Sequence, residues 1–278
     1  MTELSRIRSI LFVPGDSAKK LSRAASLPAD SILIDWEDAV ADANKSDARS
    51  VTQRALPSLQ SQGRLVFVRL NHPSSEWVAV DCAAVRRCQV NGVVIPKCES
   101  VGDVERVAAE LPCAGTIVPL VESPLGVLRA AEIASCSDRV NALMFGAEDY
   151  CAETRIRRSE GEPELTFARG SVVNAARATG KQVFDSPPMQ YQDLGAVRQA
   201  AQRGRRHGFS GQAAIHPAQL PVINEVYSPS PAEVEEAKAV LSRFEEHGGG
   251  VYAVRGSLED YPMVRDALAV LERAGESA

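Results

Sequence analysis

The sequence predicts an α/β chain folded as a (β/α)8 TIM barrel with a C-terminal helical lid segment. Three observations carry that expectation. Eight short apolar runs alternate with segments of helical periodicity, the pattern of repeated strand–helix–strand units around a parallel sheet. The runs are continuously apolar, as strands buried on both faces must be. The chain has 278 residues, which suits one barrel of about 250 residues plus a small appendage.

Taken in order, Ser9–Val13 runs into Pro14-Gly15, and Ala18–Leu27 follows with Leu21, Ala24, Ala25 and Leu27 at helical spacing. Ser31–Trp36 carries Asp35 and leads into Glu37-Asp38. Leu65–Leu70 carries Arg69 and hands over to Asn71. Gly92–Ile95 meets Pro96-Lys97, and Val101–Leu111 places Val101, Val104, Val107, Ala108 and Leu111 on one helical stripe. Thr116–Val121 ends on Glu122, and Ala142–Phe145 opens into Gly146-Ala147-Glu148-Asp149. Tyr150–Pro163 reads as a long charged loop, and Thr166–Thr179 as a helix. Gln182–Phe184 ends on Asp185, and Ala213–Ile215 on His216. In a parallel barrel all strands end at one face, so these polar terminators amount to an inventory of site residues.

From Ser228-Pro229-Ser230-Pro231 the pattern changes. Ser230 is placed to cap a helix that begins at Pro231, and Glu233–Glu246 is strongly amphipathic. Gly248-Gly249-Gly250 breaks it, Val251–Ala253 reads as a short strand, and Tyr261–Ala274 as a last helix. The expected division is therefore a catalytic barrel over 1–227 and a lid over 228–278.

Composition narrows the function classes. A net charge of −5 and a pI near 5.5 argue against nucleic acid as a partner. Residues 1–10 have no apolar signal-peptide core, and no run approaches the about 20 apolar residues of a membrane span. The six cysteines (Cys82, Cys88, Cys98, Cys113, Cys136 and Cys151) lack metal-binding spacing. The expectation is a cytoplasmic protein with reduced thiols and no membrane contact.

Glu122 and Asp149 follow neighbouring strands; each alone reads rather as a cap or surface residue, but two carboxylates at adjacent strand ends suit a hard cation such as Mg2+ better than either bland role. Arg69 lies inside a buried strand and needs a partner, either Asp35, Glu37 or Asp38 within the chain or a substrate carboxylate. The cluster Asp35, Glu37 and Asp38 repels itself unless a cation, a metal-bound water or a helix N-terminus compensates it. Lys97 adds a charge at the same face. His216, a lone histidine, reads as structural, and Arg203–His207 as the solvated basic end of a helix.

The motifs Arg8-Ser9-Ile10-Leu11-Phe12-Val13-Pro14-Gly15, Ile34-Asp35-Trp36-Glu37-Asp38, Val68-Arg69-Leu70-Asn71, Ile95-Pro96-Lys97, Val121-Glu122-Ser123-Pro124, Phe145-Gly146-Ala147-Glu148-Asp149 and Ile215-His216-Pro217 occur in that order. In this the chain resembles the citrate lyase β-subunit-like (HpcH/HpaI aldolase/citrate lyase) family, which includes malyl-CoA and citramalyl-CoA lyases. The resemblance runs from about residue 8 to about residue 270. It implies a homotrimer or hexamer that uses Mg2+, or Mn2+ in its place, to cleave a 3-hydroxyacyl-CoA into acetyl-CoA and a 2-keto acid. It implies that Glu122 and Asp149 hold the metal and that Glu37 and Asp38 support it. Arg69 would contact the oxygens of the keto acid, and Gly146, Ala147 and Glu148 would line its pocket through their backbone. Arg8 and Lys19 would contact the CoA nucleotide, and Ile215, His216 and Pro217 the pantetheine arm. Asp260, within Gly256-Ser257-Leu258-Glu259-Asp260, would reach a neighbouring subunit's site and exchange a proton with the thioester enolate. The chain departs from the family in places: Gly211-Gln212 stands where Gly-Lys is common, Asp185-Ser186-Pro187-Pro188-Met189-Gln190 where a glycine-containing acidic segment is common, Glu259 adds a second acid beside Asp260, and Val254-Arg255 lengthens the approach to Gly256.

Other outcomes share this platform. A subunit of a citrate lyase complex would act on an acyl carrier protein. A thioesterase would use water as the nucleophile. A pyruvate-type class II aldolase would dispense with the thioester, and a binding protein would keep the barrel without the metal.

Overall fold

The computed structural model describes residues 3–276 except 62, 113, 114, 249, 255 and 256. Of the residues singled out above, Cys113, Gly249, Arg255 and Gly256 lie outside that set. Strands β1 (Ser9–Pro14), β2 (Ser31–Asp35), β3 (Leu65–Arg69), β4 (Gly92–Ile95), β5 (Thr116–Val121), β6 (Ala142–Phe145), β7 (Gln182–Asp185) and β8 (Gly211–Ala214) close into a barrel in sequence order. All pairs are parallel, and β8 closes on β1 with Ala213 opposite Ile10. Helices cover the outside, several of them started by a side chain: Ser17 accepts from the Lys20 N–H, Ser123 from that of Gly126 and Asp193 from that of Ala196. Ser100 and Asp103 form a reciprocal capping box.

The interior is filled by Ile10, Leu33, Phe67, Val94, Leu120, Met144 and Phe184 among others, with Leu4 and Ile7 packed into the same cluster at the N-terminal end. Side chains alternate along a strand, so the residue two beyond each of these points inward at the C-terminal mouth. That step leads from Leu33 to Asp35, from Phe67 to Arg69, from Leu120 to Glu122, from Met144 to Gly146 and from Phe184 to Ser186. Core packing and site layout therefore share one periodicity.

Two elements differ from expectation. The last strand begins at Gly211 and ends at Ala214, not at Ile215. The Gln212 N–H joins the ladder by donating to the Arg8 carbonyl at 2.8 Å, while the Ile215 N–H is taken by Gln219 Oε1 at 2.9 Å. The predicted loop from Tyr150 begins as the helix Ala147–Thr154, whose first turn carries Glu148 and Asp149 where acids favour a helix start. The chain leaves that helix at Arg155, with φ at +60°.

Met1–Asn224 and Glu225–Ala278 form separate compact units. In the second, helices Pro231–Glu246 and Tyr261–Ala274 pack through Val234, Ala237, Val240, Ala267 and Leu271. Ser230 and Glu233 close a capping box ahead of Pro231. Tyr252–Val254 and Ser257–Glu259 pair as an antiparallel hairpin. Among the described residues no helix is long and apolar enough to cross a membrane.

Candidate active site

Arg69 ends β3 beside Asp35 at the end of β2, and the two are register partners. Its Nε donates to Asp35 Oδ1 at 2.8 Å and its Nη2 to Asp35 Oδ2 at 2.6 Å, while Nη1 lies 2.9 Å from Glu37 Oε2. Both carboxylates are buried. Burial works against every charge here. The Arg69 guanidinium still holds the Asp35 carboxyl below its usual range, whereas burial outweighs Arg69 and Lys97 at Glu37 and leaves that carboxyl raised. Lys97 completes the compensation, with Nζ 2.6 Å from Glu37 Oε1 and 3.1 Å from Asp38 Oδ2. The chain's own cations, Arg69 and Lys97, thus compensate two of the cluster's three carboxylates. The alternative compensation, a helix N-terminus for Asp38, gives way to Lys97, and the backbone N–H groups of Glu37 and Ala39 donate to Asp35 instead.

Glu122 follows β5. Its Oε1 accepts the Lys97 N–H at 2.8 Å, a bond aimed by a Lys97 backbone at φ +46°. Its Oε2 lies beside Gly146. The carboxyl is buried, and burial, with Asp149 adding repulsion and Arg69 opposing, pushes it up to about 8. A buried carboxyl so reluctant to ionise beside a second carboxylate is a place where a cation is stabilising. Among the described residues no group of three or more His, Cys, Asp or Glu side chains could hold a metal. Glu122 and Asp149 would therefore hold one with water and ligand oxygens filling the remaining positions.

These residues open into a cavity of about 680 Å³ at the C-terminal mouth. Arg69, Asp38, Glu122, Gly146, Ala147, Glu148 and Asp149 line it together with Ile215, His216 and Pro217. His216 also has the structural role expected of it: its Nδ1 accepts the Ala218 N–H, and its ring stacks on Tyr191 at 4.6 Å.

Several expected site residues are placed otherwise. Arg8 precedes β1 and so lies at the N-terminal end of the barrel, away from the mouth, where it grips Asp30 through Nε and Nη2 at 2.8 Å each. Lys19 is exposed and does not line the cavity; Lys20 and Arg23, one turn apart on the helix Ala18–Ala24, do. Their i, i+3 spacing beside Ala24 and Leu27 was the signal that could have marked them. The backbone donors of Gly146 and Ala147 are spent, on the Val121 carbonyl and on Ser186 Oγ at 2.9 Å, so these two residues shape the pocket without offering an N–H. Ser186, missed in the sequence, holds the Gly146–Ala147 turn by also donating to the Phe145 carbonyl. Arg203 is no solvated helix end: its Nη2 binds Glu162 Oε2 at 2.7 Å. Asp260 sits in the second unit, immediately before the helix Tyr261–Ala274, with no side-chain capping bond.

Residues 8–217 match the family profile described as HpcH/HpaI aldolase/citrate lyase. The citrate lyase subunit beta of Escherichia coli is 35% identical over 280 residues, covering 96% of this chain and 93% of that protein. A (3S)-malyl-CoA thioesterase of Cereibacter sphaeroides is 36% identical over 273 residues, covering 96% of this chain and 94% of its own. The crystal structure of protein CitE from Mycobacterium tuberculosis in complex with magnesium, acetoacetate and coenzyme A superposes with a TM-score of 0.85 at 30% identity, covering 98% of this chain and 100% of that one.

Proposed function

The chain belongs to the HpcH/HpaI aldolase/citrate lyase family, and on that premise we propose that it is a Mg2+-dependent carbon–carbon lyase. Its substrate would be a 3-hydroxyacyl-CoA of the citramalyl, citryl or malyl type, split into acetyl-CoA and a 2-keto acid. One observation carries the reading: buried Glu122, Asp149 and the paired Arg69 line one cavity with the Ile215–Pro217 arm and the basic pair Lys20 and Arg23. The CitE structure with magnesium and coenzyme A supports it.

When bound at Glu122 and Asp149, the cation would supply positive charge to the carboxylate and carbonyl oxygens of the nascent keto acid. Arg69, locked by Asp35, would present a fixed charge to the same oxygens without reorganising during the reaction. The 3-hydroxyl would pass its proton to the Asp38 carboxylate, which lines the cavity, as its oxygen becomes the keto oxygen; the C2–C3 bond breaks, and its electron pair moves onto the thioester as an enolate. The enolate then takes a proton at carbon, which the Asp260 carboxyl of a neighbouring subunit would supply. Lys20 and Arg23 would meet the nucleotide phosphates in place of Arg8 and Lys19.

A second reading has a specific support. The thioesterase relative covers this chain as fully as the lyase subunit does. Water attacking the thioester carbonyl in the same cavity would release free CoA. A stand-alone assay with Mg2+ on citramalyl-CoA, malyl-CoA and citryl-CoA, reading keto acid and free thiol together, decides. Keto acid without thiol establishes the lyase, thiol without keto acid the thioesterase. Neither product would direct the test to an acyl-carrier-protein thioester or a thioester-free aldol substrate. In the active assay Glu122→Ala or Asp149→Ala should abolish turnover, and full activity in either would end the metal assignment.

A further inference from the structure

Beside the catalytic cavity lies a second one of about 860 Å³, sharing Glu148, Ser186, Pro187 and Met189 with it. Its wall holds three arginines that converge on one carboxylate. Glu162 Oε1 accepts from Arg158 Nε at 2.8 Å and from Arg158 Nη2; Glu162 Oε2 accepts from Arg169 Nη2 and Arg203 Nη2, each at 2.7 Å. Glu162 reaches this point from a left-handed backbone, φ +53°, which a side chain adopts only against steric cost.

From Glu162 the contacts run both ways. Arg158 extends its Nη1 to Glu148, the residue before Asp149. Arg169 reaches Asp185 Oδ1 through Nε at 3.2 Å, and the same oxygen accepts the Ser186 N–H at 2.9 Å. Ser186 Oγ in turn holds the Ala147 N–H. The path therefore closes on itself: Glu162, Arg158, Glu148, Ala147, Ser186, Asp185, Arg169 and back to Glu162. The ring passes through Ala147 and Glu148, in the first turn of the helix Ala147–Thr154, and the segment Gly146–Asp149 to which they belong lines the catalytic cavity, while Glu162 itself lies outside that cavity.

We propose that Glu162 is a positioning residue that fixes the Gly146–Asp149 turn, and with it Asp149, by holding Arg158 and Arg169 in one closed ring. The consequence for metal affinity rests on the Mg2+ reading above; the consequence for the turn does not. Without the carboxylate, three guanidinium groups face one another beside a large cavity, so Arg158 is released and Glu148 loses its tether to the rest of the ring.

The test uses the full-length protein with Glu162→Gly, which keeps the left-handed backbone comfortable and removes the whole side chain, and Glu162→Gln, which keeps the length and removes only the charge. Amide hydrogen exchange at Ala147 and Tyr150 should accelerate roughly fivefold or more in both, with the β2 amides unchanged. Formate, small enough to enter the vacated space between the arginines, should slow exchange again in Glu162→Gly. Exchange at the parental rate in both variants overturns the proposal. So does acceleration spread evenly over the barrel, which would make Glu162 a general stabiliser, and so does acceleration that formate leaves unchanged. In parallel, Mg2+ titration calorimetry should show about tenfold weaker binding in both variants, as for other groups that orient metal ligands. A parental protein that binds no Mg2+ refutes the metal reading and leaves the exchange result to decide the role of Glu162.

Discussion

Gly146 shows how closely the site is packed at single atoms. A Cβ there would lie 2.4 Å from Glu122 Oε2 and 2.5 Å from Glu122 Cβ, so Gly146→Ala must displace the carboxylate. Mg2+ affinity should fall about tenfold or more by calorimetry; unchanged affinity would remove Glu122 from the metal site. The protonation of Glu122 gives a second prediction. Its folded pKa of about 8 exceeds the unfolded value of about 4.3. Ionising it in the metal-free fold therefore costs stability as pH rises between those values. Mg2+ needs the carboxylate, so binding should release protons below about pH 8 and none well above it. Calorimetry in two buffers of different ionisation enthalpy reads this directly, and buffer-independent heats at neutral pH would contradict it.

Among the elements, the segment from Arg155 to Leu165 is the most instructive. It covers most of the loop expected over Tyr150–Pro163, which reads equally as a shaper of the active mouth or a solvated excursion, and Glu162 draws it onto the barrel. Burial disfavours the Glu162 charge, but Arg169 and Arg158 hold its carboxyl down to about 2. A depressed carboxylate stabilises the fold above the unfolded pKa of about 4.3 and loses that contribution as pH falls toward 2. Glu162→Gln should thus be less stable than the parent in urea at neutral pH, with the gap closing as pH approaches 2. A gap independent of pH would mean the carboxylate charge is not what binds the loop. The first helix of the second unit behaves more simply: its cap and apolar stripe are visible in Ser230-Pro231 and in the spacing of Val234, Ala237 and Val240, and the structure has them there.

At the scale of the whole molecule, a ligand that binds only the folded state raises stability by mass action. Mg2+ at one hundred times its dissociation constant should add about 2.7 kcal/mol, read as a rise in Tm that Glu122→Ala abolishes. The proposed use of Asp260 from a neighbouring subunit makes a stronger demand. Mixed and reassembled Asp260→Asn and Glu122→Ala subunits, each inactive alone, should regain activity because one site in the mixture keeps both groups. No recovery after verified subunit exchange would confine Asp260 to its own chain.

The sequence by itself determined the barrel, because eight apolar runs separated by amphipathic helices have few other ways to bury both faces of every strand. It also placed Asp35, Arg69, Glu122 and Asp149 at one face, since each stands at or just after the end of a strand and all strand ends of a parallel barrel share one mouth. Tertiary structure alone decided the partners. That Arg69 binds Asp35 and Glu37, that Arg8 is spent on Asp30 at the far end, and that Lys20 and Arg23 face the cavity instead of Lys19 depend on residues tens of positions apart or on a helix's rotation. The ring through Glu162 is the extreme case: its ion pairs and hydrogen bonds join residues drawn from four segments between Ala147 and Ser186, and only the Arg158–Glu162 pair is local. Periodicity is a property of neighbours in the chain, whereas charge pairing is a property of neighbours in space.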